Sequence, residues 1–133
     1  MRTHSRYRVT TSYLAKYGNP IRFESGELIE LGGRDSEYRE FLWAKDEKGR
    51  EGWVHQSKFL VTSEKKAVTT AHYDAIELNA RSGELVTAEE MLGDWSWCSN
   101  SDGKKGWLPN HILERVTEVL PITIRKIEEK DDA

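Results

Sequence analysis

FLWAKDEKGREGWVH (41–55) and WSWCSNSDGKKGWLPN (95–110) decide how this chain reads. Each is an aromatic, apolar run, then a polar stretch containing glycine, then a second run opened by Gly-Trp. Trp43 recurs as Trp97, and Gly52-Trp53 as Gly106-Trp107, at an offset of 54. Upstream, SGELIEL (25–31) returns as SGELVTA (82–88) at an offset of 57, and RVTTSY (8–13) returns as AVTTAHY (67–73). Downstream, KFL (58–60) is matched by HIL (111–113). The period is too long for a solenoid unit and suits a small barrel, so the 133 residues divide into two modules of about 55 residues.

Within each module the pattern is that of short strands. Ile29 and Leu31, then Leu42 and Ala44, alternate with polar neighbours. Gly32-Gly33, Asp46 to Gly49, and Ser101-Asp102-Gly103 are turn signals. Ala88 to Leu92 is too short to stand as a helix. Four or five antiparallel strands per module, with a long loop near the start, would close into a barrel and so remove exposed edges. The polar stretch Thr62 to Lys66 reads as a linker, giving predicted modules at 5–62 and 66–116. In the tail, 117–133, Val119, Leu120, Ile122 and Ile124 surround Pro121 and a charged IEEKDDA follows. The apolar part of the tail is expected to pack as an edge strand or across the module interface.

Composition narrows the function. Five Trp, five Tyr and three Phe supply much of the burial that such small cores need. The net charge is −3, with 11 basic and 9 acidic residues over 1–63 and 6 basic and 9 acidic over 64–116. Neither half carries the basic surplus of a nucleic-acid-binding domain. The single Cys98 makes no internal disulfide. With no apolar leader or membrane-length run in the sequence, a cytoplasmic protein is expected, without nucleic-acid or membrane partners. His72, Cys98 and His111 lack zinc-ligand spacing, and no Cys-His nucleophile, convergent carboxylate pair or phosphate-cradling loop is legible. Glu89-Glu90 and Glu128-Glu129 read as solvated faces. The expectation is a non-enzymatic protein with no cofactor and no metal.

The order of these motifs resembles the SH3 domain, specifically the variant SH3-like modules found in tandem in small bacterial proteins. The second module carries Ala71-His72-Tyr73-Asp74-Ala75, Gly83-Glu84, Trp95-Ser96-Trp97-Cys98, Gly106-Trp107-Leu108-Pro109 and Ile112-Leu113. The first carries Thr11 to Leu14, Gly26-Glu27, Phe41-Leu42-Trp43-Ala44, Gly52-Trp53-Val54 and Phe59-Leu60. The resemblance implies an all-β fold of two tandem SH3-like barrels with a short C-terminal extension. It implies permissive turns at Gly26 and Gly83, and small side chains at Ala44 and Cys98 turned into the barrels. Trp43 and Trp97 then face the opposite side, and Trp53 and Trp107 pack locally.

In SH3 domains an aromatic strip docks proline-rich segments in a polyproline helix. Carried over, the resemblance assigns Tyr73, Trp95 and Pro109 to a groove in the second module, with Asp74 beside it. Tyr13 and Phe41 form the counterpart in the first module. Ile112 stands where the family has a groove tyrosine, and His55 where it has a groove proline. The leading expectation is therefore a binding protein for a peptide or protein partner, proline-rich segments among the candidates. The alternative is an assembly module whose barrels pack on each other or on an identical chain as a homodimer. A third reading is a cell-wall-binding SH3-type module.

Overall fold

The structure is a computed structural model that describes residues 5–116, so the expectations for the tail lie outside the described residues. It is all β, with two 3-10 turns, Gln56–Lys58 and Asn110–Ile112. The strands are β1 (Ser5–Val9), β2 (Arg22–Phe23), β3 (Leu28–Arg34), β4 (Phe41–Asp46), β5 (Glu51–His55) and β6 (Phe59–Ser63). They continue with β7 (Lys66–Thr69), β8 (Tyr73–Asp74), β9 (Leu85–Leu92), β10 (Trp95–Ser99), β11 (Lys105–Pro109) and β12 (Leu113–Arg115).

The local devices of the repeat appear twice. Asp46 Oδ1 accepts hydrogen bonds from the main-chain N–H groups of Lys48 and Arg50, and Asn100 Oδ1 accepts from Asp102 and Lys104. Each turn ends with a glycine at φ 84°, Gly49 and Gly103, in the left-handed region where a Cβ would be strained. Gly26 and Gly83 both sit at φ 93°, as the diverging turns require. The following Glu27 and Glu84 close those turns by accepting the N–H of Glu24 and Arg81 at 2.9 Å. Ala44 and Cys98 are fully buried at matching places.

The sheets, however, do not follow the repeat. One is ordered β5-β4-β3-β7-β6, and the other β11-β10-β9-β1-β12. The first strand of each repeat has been exchanged: β1 pairs with β9 and β12 of the second repeat, and β7 pairs with β3 and β6 of the first. Thr62 to Lys66, read from sequence as a linker between modules, instead lies inside the first sheet. There Glu64-Lys65 forms the turn of a tight β6–β7 hairpin, with Ser63 opposite Lys66 and Lys65 at φ 64°. So short a turn folds β7 back onto β6 and leaves no chain to reach the other sheet. The first unit is thereby a continuous β2-to-β7 stretch. The second takes β1 from in front of it, across the bounds 5–62 and 66–116.

The exchange also corrects the matching of VTT with VTT. Val9 donates to Glu84 O and accepts from Gly83 N–H, while Thr69 donates to Glu27 O and accepts from Gly26 N–H. Val9 is thus equivalent to Thr69, one residue beyond the partner that the letters suggest. In a strand that slip decides which side chains point inward. Val9 and Thr69 are both buried, and the Thr69 hydroxyl is satisfied by donating to Glu24 O at 2.6 Å.

Two cores result. Ile21, Phe23, Ile29, Leu31, Ala44, Val54, Phe59 and Ala67 fill the first, together with Tyr73 and Trp107. Val9, Leu78, Ala80, Val86, Cys98, Leu108 and Ile112 fill the second. The crossing segments, 10–21 and 70–80, run antiparallel and tie the units together. Tyr13 and Ala80 exchange two main-chain hydrogen bonds, and Arg22-Phe23 pairs with Tyr73-Asp74.

Candidate aromatic site between the two units

Aromatic side chains concentrate where the units meet. Trp43 and Trp53 face each other across β4–β5, edge to face at 5.1 Å, and Trp97 and Trp107 repeat the arrangement at 5.3 Å. Their surroundings differ. Trp107 is buried against Tyr73, and its indole N–H donates to the Asp74 carbonyl at 2.7 Å. Trp53 is half-buried, and its N–H donates to the Tyr17 hydroxyl at 3.2 Å.

Between these pairs lies an open pocket of about 130 Å³. Half-buried Trp95, at the start of β10, contributes to its wall and meets two tyrosine rings edge to face. Tyr13, from the first crossing segment, stands 6.2 Å away at 77°, and Tyr38, from the β3–β4 loop, stands 5.4 Å away at 70°. Asp35, Glu37, Glu77 and the exposed Lys16 also line it. Glu77 Oε1 accepts the Tyr13 hydroxyl at 3.0 Å and the Lys16 main-chain N–H at 3.1 Å. Burial, then the Glu77 carboxylate, push the Tyr13 hydroxyl pKa up, and burial followed by Glu37 raises that of Tyr38. Both phenols are therefore neutral donors at physiological pH. The Lys16 ammonium sits 6.0 Å from the Tyr13 ring centre, a cation facing an aromatic surface.

The six residues singled out from sequence separate here. Trp95 and Tyr13 come together at the pocket, and the strand exchange is what brings them there. Tyr73 also lines the pocket but is buried in the first core, its hydroxyl donating to Trp53 O at 2.7 Å. Phe41 likewise lines the pocket while being buried, and stacks edge to face on His55 at 5.1 Å. Pro109 is buried opposite Trp95 at the end of β11. Asp74 is spent locally, capping the Ile76 N–H at 3.0 Å. Tyr38 was missed by sequence reasoning. Its signal was the fall in repeat offset from 57 to 54 between Gly26-Glu27 and Trp43, which marks a longer loop in the first repeat. The Asp35 carboxylate shapes that loop by accepting the Glu37 and Tyr38 N–H groups.

Cys98 is a core residue. Burial pushes its thiol up to about 12, and Sγ contacts the Ser96 carbonyl at 3.5 Å. Among the described residues no group of His, Cys, Asp and Glu is arranged to hold a metal ion, and no helix is long and apolar enough to cross a membrane.

An all-β fold in which each repeat carries a Gly-Glu turn, a Trp-bearing hairpin and a 3-10 turn is an SH3-like architecture. Residues 6–60 match the model of the variant SH3 domain family, a span that includes β1 of the second sheet and stops short of β7 of the first. No curated protein and no solved structure matches the chain.

Proposed function

We propose that this chain is a non-enzymatic binding protein, built from two SH3-like barrels in tandem, that captures an extended peptide segment of a protein partner in the pocket between them. The observation that carries this reading is the setting of Trp95, held half-exposed between Tyr13 and Tyr38 at the mouth of a concave site. Flat aromatic walls suit the low-entropy polyproline helix, and the Tyr38 hydroxyl can donate to its exposed carbonyls, while the Tyr13 hydroxyl is already given to Glu77. Asp35, Glu37 and Glu77 outnumber Lys16, which favours a segment with a basic side chain next to its prolines. The site draws on both repeats, so neither would bind as a separate fragment. Nothing in the composition of the chain calls for a location other than the cytoplasm.

An NMR titration tests the proposal with two proline-rich peptides, one carrying arginine and the other alanine at that place. The Trp95 indole and Tyr38 signals should move with both peptides, and the arginine peptide should bind more tightly, by a margin that shrinks with added salt. Movement confined to surfaces outside the pocket, with Trp95 and Tyr38 still, or none at millimolar peptide, would overturn the assignment.

A further inference from the structure

The outer strands of the two sheets differ in a way that the repeat does not require. On the side beyond the exchanged strand, the outer strand of the second unit is β12, three residues long, and two of them, Glu114 and Arg115, are charged. In the first it is β6, Phe59-Leu60-Val61-Thr62-Ser63, which carries no charge. Leu60 and Val61 are each 64% exposed. Charged and short outer strands protect a sheet from pairing with other chains, and β6 lacks both features.

The face beside that edge is asymmetric too. Leu28 is opposite Val68, and Val68 is opposite Leu60, so an apolar row crosses β3, β7 and β6 and ends at the rim. The matching row in the second unit is Leu85, Arg8 and Glu114. Main-chain direction follows from the register. Thr70 N–H donates to Lys58 O, which makes Leu60 and Val68 the next hydrogen-bonded pair and turns the N–H and C=O of Phe59 and Val61 outward. Among the described residues no strand pairs with the outer side of β6, and the register shift between Val61 and Ser63 bends it there, so the straight part of that edge runs from Phe59 to Val61.

From this we infer that β6 is a self-association edge, and that its partner is β6 of a second copy of this chain, antiparallel about a two-fold axis at Leu60. In that register Phe59 pairs with Val61 of the second copy and the reverse, and the two Leu60 side chains meet in the close, non-hydrogen-bonded position. The apolar row then continues unbroken into the second copy. Lys58 falls opposite an uncharged Thr62, and its own ammonium lies 3.6 Å from Glu90 of the same chain, so no like charges confront each other. A strand with charges of one sign would repel its own copy in this arrangement. The inference does not depend on the pocket between the units.

Sedimentation of the full chain between roughly 10 µM and 1 mM should show a monomer–dimer equilibrium, weak because so few residues pair. Val61→Pro removes an outward N–H that the sheet itself does not use, and Leu60→Lys places two ammonium groups at the axis. Each should weaken association at least about tenfold while leaving the circular dichroism spectrum unchanged. Should the proline variant misfold, the exposed Leu60→Lys change decides alone. A wild-type chain that stays monomeric throughout, or variants that associate as the wild type does, would overturn the inference.

Discussion

Val9→Ala is the most direct probe of the strand exchange. Val9 is fully buried among Leu78, Ala80, Val86, Cys98, Leu108 and Ile112, all from the second repeat. Each methyl taken from a packed core costs about 0.5–1.5 kcal/mol, so losing two amounts to about 2 kcal/mol. That corresponds to about a thirtyfold rise in opening of the unit that contains the residue. Native-state hydrogen exchange reads the two units separately. Protection should fall at Val86, Cys98 and Leu108 and fall much less at Ala44, Val54 and Ala67, which belong to the first core. If the repeats kept their own first strands, Val9 would sit in the first core and the pattern would invert. A larger loss at Ala44 and Val54 than at Cys98 and Leu108 would therefore refute the exchanged topology.

Lys65→Gly should stabilise the protein by about 0.5–1 kcal/mol in urea unfolding, because relief of a left-handed backbone exceeds the extra chain entropy of glycine. Gly106→Ala should lower stability by about 1–3 kcal/mol, since a Cβ there would lie 2.6 Å from the Leu78 nitrogen. Gly52→Ala, with its nearest neighbours at 3.2 Å, should cost clearly less in the same assay. Burial alone would raise the Asp46 pKa, but hydrogen bonds from Arg50 and Lys48 outweigh it and hold the carboxyl below its ordinary value. The stabilisation is thus complete above the ordinary carboxyl pKa and is lost as the pH falls through the lower folded-state value. Asp46→Asn, the residue type standing at position 100, should keep the turn and flatten that acid limb in thermal melts.

Much of the fold was legible because it is local. Turn glycines at 26, 49, 83 and 103, the small core positions 44 and 98, and the Gly-Glu closures depend on neighbours a few residues away. Which sheet a strand joins is not local. β1 and β7 carry patterns that fit either barrel, and the choice falls to the Glu64-Lys65 turn, which lacks the glycine or asparagine that usually announces a hairpin. The site suffered from the same blindness. Tyr13 and Trp95 were each recognised, but assigned to separate grooves, because only the exchange joins them. Tyr73 and Phe41 have the aromatic character of groove residues and end in or against the core, a difference that burial decides and composition does not.

The exchange also sets an order of assembly during synthesis. The five strands of the first sheet can pair once Thr69 has left the ribosome, although Tyr73 and Trp107 complete its core only later. β1 emerges before any of them, yet its partners β9 and β12 arrive only with residues 85–92 and 113–115. Until then Tyr7 and Val9 must stay unpaired beside a completed neighbouring sheet, and their contacts are among the longest-range in the chain. The earliest strand to be made is thus among the last to be seated, and closing the second barrel depends on the nascent chain holding it in reserve.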